Sequence, residues 1–371
     1  MQNDPHETPR DRFYQVMRFA CPGRTLATLG GIWPSTLARW HAEGLPAAID
    51  NVPDLIDYLG LQPHLWSGPA VNLFAYPAFD YEVLARTADK ITYRNGNGIV
   101  CTEFVTDNYQ SMPHFEAFPV RTPRDWREYR PRLAWDAGRI RPEWPRQREA
   151  WQARTAPLIL YLDRAGSLYG AVRDLMGVEG ASYAFFDEPE MVADMMDTVV
   201  ALFCAVCDAL LTDGFVPDAV CLWEDMGFNT ASLLSPRLVR EFMLPRYRIM
   251  TAKLREKGVP FIVLDSDGQV GELIPLWLEA GIDGVVPMEV QAGMDVAVYR
   301  ERYPQLLMLG GVDKKALAAG RTAIDREMDK IARVVATGGL IPWFDHGLPH
   351  DVAYDDFRYF VTRLKQVAGV G

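Results

Sequence analysis

Basic residues are in deficit: 38 lysines plus arginines stand against 49 aspartates plus glutamates, a formal net charge of -11. No long basic run is available to neutralise a phosphate backbone, so nucleic acid is not an expected partner. Long apolar runs are missing as well, since the longest fall far below the roughly 18 to 20 residues that a membrane span needs. Residues 1–12 are polar and contain no apolar signal-peptide core, so a cytoplasmic protein is expected. Cysteine is sparse and odd in number, with Cys21, Cys101, Cys204, Cys207 and Cys221 making five, which does not suit a disulfide framework in so long a chain. Cys204 and Cys207 sit a turn apart among alanine, valine and leucine, the signature of a core face rather than of a redox or zinc pair. Three motifs are also absent: the phosphate loop G-x-x-x-x-G-K-[ST], a G-x-G-x-x-G after a strand, and the G-x-S-x-G nucleophile elbow. Nucleotide-driven chemistry and serine hydrolysis lose their usual marks.

What is present is a chain of 371 residues, 49% hydrophobic and 23% charged, long enough to bury a large core. From about residue 156, short apolar runs alternate with longer segments of helical period, the pattern of βα units around a parallel sheet. Strands are expected at 157–162, 219–223, 260–264, 284–288, 306–309 and 340–344. Between them, Asp187-Glu188-Pro189-Glu190 opens a helix over 188–212 that stops before Gly214, Ser235 caps another at Pro236, and a last helix covers 351–367. Upstream, 71–76 reads as a first barrel strand, and Asn95-Gly96-Asn97-Gly98 is turn chemistry for a hairpin over 91–105. The stretch 121–155, rich in arginine, proline and tryptophan, reads as exposed helices joined by turns. The expected fold is α/β, a distorted (β/α)8 TIM-type barrel in one domain over 1–371, with an N-terminal extension to about 68 and the barrel from about 69.

In parallel α/β folds chemistry sits beyond the carboxyl ends of the strands, and here those ends are acidic. They carry Glu224 and Asp225, then Asp265-Ser266-Asp267-Gly268, Glu289, Asp313, and Asp345-His346. Each carboxylate taken singly could be a cap for the following helix. Together they put seven carboxylates and one imidazole at one mouth, a costly concentration of charge unless a cation, arginines or protonation offsets it. Residues 265 and 267 point the same way if the backbone stays extended, so both could bind one metal or one substrate group. A divalent cation on oxygen ligands plus His346 is the chemistry this set suggests, zinc among the candidates. His6, His41, His64, His114 and His350 follow no expected strand and read as surface or structural residues.

The C-terminal part resembles the uroporphyrinogen decarboxylase superfamily, which contains the haem-pathway decarboxylase and corrinoid-linked methyltransferases. The resemblance rests on Trp223 through Leu234-Ser235-Pro236 to Leu244-Pro245-Arg246-Tyr247, on Ala280-Gly281-Ile282-Asp283, on Leu309-Gly310-Gly311-Val312-Asp313-Lys314, and on Asp345-His346-Gly347-Leu348-Pro349. It implies the distorted barrel with N-terminal additions, and a homodimer. The decarboxylase's carboxylate-gripping motif R-P-x-W-x-M-R-Q-A-G-R is matched only in pieces around Met17-Arg18 and Gly23-Arg24, and an acidic mouth repels a polycarboxylate. The methyltransferase branch has H-x-C-G where Asp265-Ser266-Asp267-Gly268 stands and a cysteine near His346, residues that bind a zinc ion there.

By that resemblance the chain is expected to be a metal-assisted methyltransferase acting on a small methylated substrate and passing the methyl group to a corrinoid on a separate protein. Asp265, Asp267, His346 and Glu224 are the expected metal ligands, with His346, Asp267 and Glu224 catalytic. Asp225, Glu289, Asp345 and Tyr169 are expected at the substrate, Asp345 orienting His346. Two other readings are a cofactor-free decarboxylase or lyase, and a non-catalytic small-molecule binder on the same barrel.

Overall fold

Period-two alternation along short apolar runs is what a strand needs when one side faces a barrel interior and the other a layer of helices. The computed structural model describes residues 6–63, 65–105, 112–163 and 166–370. Its strands are β1 (Leu65–Ser67), β2 (Glu82–Arg86), β3 (Lys90–Arg94), β4 (Val100–Phe104), β5 (His114–Ala117), β6 (Leu158–Tyr161), β7 (Ala219–Trp223), β8 (Ile262–Asp265), β9 (Gly284–Val286), β10 (Leu307–Leu309) and β11 (Leu340–Ile341). Seven of them form one parallel sheet in the order β1-β6-β7-β8-β9-β10-β11. The alternation sorts their side chains into two cores. Ile159, Ala219, Cys221, Phe261, Val263 and Val286 pack inside the curled sheet. Leu158, Leu160, Val220, Leu222, Ile262 and Leu264 pack outward against helices.

The expected eighth strand and full closure are not found among the described residues. No ladder joins β11 to β1, and residues 25–32 lie between them instead. Thr25 donates its hydroxyl to the Leu340 carbonyl at 2.6 Å, Leu348 N–H donates to the Gly31 carbonyl at 2.9 Å, and Gln62 N–H donates to the Ala27 carbonyl at 2.8 Å. The expected strand at 71–76 is also corrected. Val71 makes only an isolated bridge to Ile140, because the Asn72 side chain accepts from Phe74 N–H and donates to the Ala75 carbonyl, folding the segment into a turn. The first strand lies upstream at β1.

Helix Pro9–Met17, started by a Thr8/Asp11 capping box, places Phe13, Val16 and Met17 in the inner core. It is tied to the sheet by Asp218, which is fully buried. Asp218 accepts from Arg10 Nε at 2.8 Å, Tyr14 Oη at 2.9 Å, Arg154 Nε at 2.9 Å and Leu158 N–H at 2.8 Å. Asp218 lies just before β7, so this network marks the end of the sheet opposite the strand carboxyl ends.

The hairpin at Asn95–Gly98 joins β3 to β4, with the Asn95 carboxamide oxygen accepting from Asn97 N–H and Ile99 N–H. It belongs to a four-stranded antiparallel sheet, β2-β3-β4-β5, of which only this hairpin is legible in the sequence. The stretch 121–155 forms the helices Pro123–Tyr129 and Trp144–Gln152 with 3-10 turns between them. It is not simply exposed, since Trp126, Tyr129, Trp144 and Trp151 turn into the outer core. Arg139, also fully buried there, donates to the carbonyls of Ala134, Asn72, Phe74 and Arg132. Arg139→Met removes all of those donors while keeping the stem, so it should lower stability by about 3 kcal/mol or more in denaturant unfolding, given ~1–3 kcal/mol per buried unsatisfied group.

The expected helix over 188–212 is observed as Pro189–Leu210, with Cys207 buried on its inner face, and all five cysteines are free thiols. Before it, helix Tyr169–Asp187 breaks at Gly177, whose φ of 74° and contact with the Phe118 ring, 2.4 Å from where a Cβ would sit, require glycine. Among the described residues no helix is long and apolar enough to cross a membrane.

Candidate functional site

The inward-facing rows of the sheet end at its carboxyl edge, and what ends them sets the chemistry. On β7 the inward series Ala219, Cys221 continues to Trp223; on β8 the series Phe261, Val263 continues to Asp265. Trp223 and Asp265 are direct register partners, and Asp265 pairs in turn with Val286 on β9. All three line a cavity of about 770 Å³ at this edge. Trp66 on β1, Tyr161 on β6 and Trp343 after β11 complete its aromatic wall, and Asp267, Asp345 and His346 its polar part. Val52, Pro53, Ile56 and Asp57 of helix Val52–Tyr58 form one side of its rim. A second void, about 40 Å³ and mainly apolar, lies beside Tyr129 and Leu175 and has room for little more than a water molecule.

The turn after β8 is held from three sides. Ser266 N–H donates to the Val286 carbonyl at 2.9 Å, the Ser266 hydroxyl accepts from Met226 N–H at 2.9 Å, and Gly268 N–H donates to Glu289 at 2.7 Å. Gly268 itself has φ +81°, and a Cβ there would come within 2.5 Å of the Gly227 carbonyl carbon. The turn fixes Asp267 opposite His346, whose Nε2 lies 3.4 Å from Asp267 Oδ2. The His346 side chain is 39% exposed and that of Asp267 41%, so the pair sits at the reachable rim rather than in the interior.

The hydrogen bond to Asp267 raises the His346 pKa, overcoming desolvation. The proton is therefore bound more tightly in the folded protein, and the stability it confers is present below the ordinary histidine range and lost as pH rises through the raised value. By NMR the His346 titration should centre above the ordinary histidine range, and Asp267→Asn should bring it down; an unmoved midpoint would separate the two residues. Asp265 lies deeper. Its carboxyl faces the cavity without a protein hydrogen-bond donor among the described residues, and desolvation, reinforced by the charges of Asp267 and Asp225, pushes its pKa well above the carboxylate range. Part of its surface still touches the cavity.

Other expected site residues have different surroundings. Glu224, fully buried, does not line the cavity. It follows inward-facing Trp223 and points the other way, accepting from Leu168 N–H at 2.8 Å, Gly170 N–H at 3.0 Å and Tyr247 Oη at 2.7 Å. Desolvation raises its pKa against those bonds, and its geometry is that of an anchor for helix Tyr169–Asp187. Tyr169, at the start of that helix, is fully buried in the outer core and away from the cavity. Asp225 pairs with Arg173 at 2.6 Å, and Glu289 holds the Gly268 turn from behind; neither lines the cavity. Asp345 does line it, but its carboxyl accepts from Val290 N–H at 3.0 Å and Lys314 N–H at 3.3 Å, so it ties two loops together, while Asp267 is what orients His346. Asp313 caps the helix Lys314–Ala318. His6, His41, His114 and His350 line no part of the cavity, and His64 lies outside the described residues.

The expected metal shell fits this geometry poorly. Among the described residues no three His, Cys, Asp or Glu side chains converge as a metal site needs. Glu224 is turned away onto three donors of its own. What the described residues do offer is an imidazole held by Asp267 through Nε2, a deep carboxyl without a donor among them, and a wall of aromatic rings.

The aromatic wall and the rim helix are the parts that sequence reasoning missed. A signal existed for Trp223, which immediately precedes Glu224, for Trp343, two residues before Asp345, and for Tyr161, which alternates inward with Ile159. Nothing in the sequence marks Val52–Tyr58 as a rim.

Comparison with known proteins gives the following. The family profile described as Uroporphyrinogen decarboxylase (URO-D) matches residues 168–367. Among solved structures, a methyltransferase from Methanosarcina mazei superposes with a TM-score of 0.60 at 14% identity, covering 96% of this chain and 98% of the other. At that identity the likeness is one of fold. No curated protein sequence matches the chain.

Proposed function

Because the chain belongs to the uroporphyrinogen decarboxylase family, we propose that the cavity at the carboxyl edge of its sheet catalyses methyl transfer from a small methylated substrate. The observation that carries this reading is the cavity's charge: among the described residues its lining contains Asp57, Asp265, Asp267, Asp345 and His346 and no lysine or arginine. A decarboxylase for a polycarboxylate needs cations to hold its substrate, and this lining repels one. The likeness in fold to a methyltransferase supports the same choice.

A reduced corrinoid carried by a separate protein would supply the nucleophile for the methyl group. The exposed rim at Asp267 and His346 leaves the cavity accessible to such a partner. As the bond from methyl carbon to heteroatom breaks, its electron pair stays on the heteroatom. His346, whose pKa the hydrogen bond to Asp267 raises, donates from Nδ1 to that leaving atom when protonated. The tryptophan and tyrosine rings exclude water and set the substrate's orientation.

Mixing the purified protein with chemically reduced cobalamin and a panel of methylated amines, ethers and thioethers tests this. At least one donor should give the absorbance change of cobalt methylation at a rate above the background without protein. Release of carbon dioxide from a carboxylic acid, with no methylation from any donor, would assign the cavity to a lyase.

A further inference from the structure

We propose that Glu289 is a positioning residue for the rim pair, and that the segment 289–292 braces Asp267 and His346 from both sides and so sets their separation. The inference rests on the methyl-transfer reading, since the pair contains the acid that reading uses. The pair does not hold itself. Its contact of 3.4 Å is at the long end for a hydrogen bond, and both side chains are well exposed. An exposed pair of this kind gains little from its own attraction. What fixes the two side chains is therefore the backbone that carries them.

That backbone closes into a ring of bonds. Gly268, next after Asp267, donates its N–H to Glu289 Oε2 at 2.7 Å. Val290, next after Glu289, donates its N–H to Asp345 Oδ2 at 3.0 Å. Asp345 is covalently joined to His346, whose Nε2 returns to Asp267 and completes the ring. Two consecutive residues after β9 thus grip the immediate neighbours of both rim residues. A second strut runs beside the first, from Gln269 Nε2 to the Ala292 carbonyl at 2.9 Å.

The brace has a firm base. The Glu289 carbonyl accepts from Ala292 N–H and Met294 N–H, each at 3.1 Å, around the 3-10 turn Val290–Ala292. Met288 before it is fully buried. On the other side Asp345 is fully buried too, its second oxygen accepting from Lys314 N–H at 3.3 Å and its own N–H donating to the Val312 carbonyl at 2.8 Å. Glu289 is outside the cavity lining, so it acts through the turn and not on the substrate. Loss of its carboxyl leaves the turn folded, because Ser266 N–H still donates to the Val286 carbonyl and Gln269 N–H to the Phe228 carbonyl. What is lost is the bond that orients the peptide linking Asp267 to Gly268. A general acid depends on such placement.

The test has a structural arm and a kinetic arm, both on the full-length protein. Glu289→Leu removes the acceptor at similar size, and Glu289→Gln keeps an amide oxygen for the Gly268 N–H. In crystal structures, Asp267 Oδ2 and His346 Nε2 should lie about 1 Å or more farther apart in the leucine variant, a shift large enough to matter for catalysis, and unmoved in the glutamine variant. With reduced cobalamin and a methyl donor, Glu289→Leu should lower kcat about 10–100-fold and leave the donor KM unchanged, as misplacement of an acid does. Glu289→Gln should keep the rate within about threefold of wild type. In a His346→Gln background the leucine substitution should cost no more than about twofold, because a residue that acts through His346 then has nothing to position. Gln269→Ala cuts the second strut; it should give the same signature at smaller size and serves where Glu289→Leu does not fold. An unmoved pair in a folded Glu289→Leu protein, a full loss in the His346→Gln background, or a glutamine variant no better than the leucine one would each overturn the proposal. The two readings fail differently. A displaced pair in Glu289→Leu beside a wild type that methylates nothing refutes the transfer while the brace stands. Undiminished methylation by Glu289→Leu does the reverse.

Discussion

Asp218→Ala should cost about 3–5 kcal/mol, enough to unfold much of the population at physiological temperature, since removing one partner of a buried ion pair leaves the other charge uncompensated. Arg154 is that stranded charge: its side chain is 4% exposed and Asp218's is fully buried. The same substitution frees Leu158 N–H at the start of β6 and releases Arg10 and Tyr14, which fasten helix Pro9–Met17. Although desolvation raises the Asp218 pKa, the bonds from Arg154, Leu158 N–H and Arg10 outweigh it and hold the value below the usual carboxylate range. The contribution is thus present above the ordinary aspartate pKa and disappears as pH falls through the lowered one. Denaturant unfolding at neutral pH should show the full loss, and the gap between wild type and Asp218→Asn should narrow in acid. An equal gap at both pH values would remove the ion pair from the account.

His346→Gln should reduce kcat/KM for methyl transfer by about 10²–10³, the usual scale for loss of a positioned acid, with little change in stability because the side chain sits at the rim. Asp267→Asn tests how that acid is maintained. It leaves the imidazole in place but removes the hydrogen bond that raises its pKa, so activity should fall most at alkaline pH and recover as pH is lowered to where an unassisted imidazole is protonated. A purely structural role for Asp267 would give a loss that pH does not restore.

The inner and outer faces of the sheet were legible because alternation has a fixed period. Phe261, Val263 and Asp265 fall on the inner face together with Ala219, Cys221 and Trp223 of the neighbouring strand, whatever lies between them in the chain. The same rule separates Trp223 from Glu224: consecutive strand residues face opposite ways, and Glu224 turns to the outer layer. Reading the strand end as an undivided acidic cluster overlooks that difference. Asp265, Asp267 and His346 do meet at one cavity, as their positions at the carboxyl ends of β8 and β11 indicate. The turn at 71–76 was hidden because Asn72 overrides a β-rich composition with local hydrogen bonds. The irregular segment 25–32, lying where an eighth strand would close the barrel, has no periodicity to read, since its partners are the distant Leu340, Leu348 and Gln62. Trp66 is likewise placed by tertiary pairing of β1 with β6, which three residues of strand do not announce.

Where the chemistry resides is tested most directly by the rate of methylation of reduced cobalamin, measured side by side for wild type, His346→Gln and Glu224→Gln at a temperature where all three are folded. The account predicts that the histidine variant loses at least two orders of magnitude, as expected of a general acid. It predicts that the glutamine variant at 224, although less heat-stable because an amide meets the N–H of Leu168 or Gly170 and the Tyr247 hydroxyl, keeps its rate within about threefold, since that carboxyl touches no substrate. A folded Glu224→Gln protein without activity, beside an active His346→Gln protein, would contradict it.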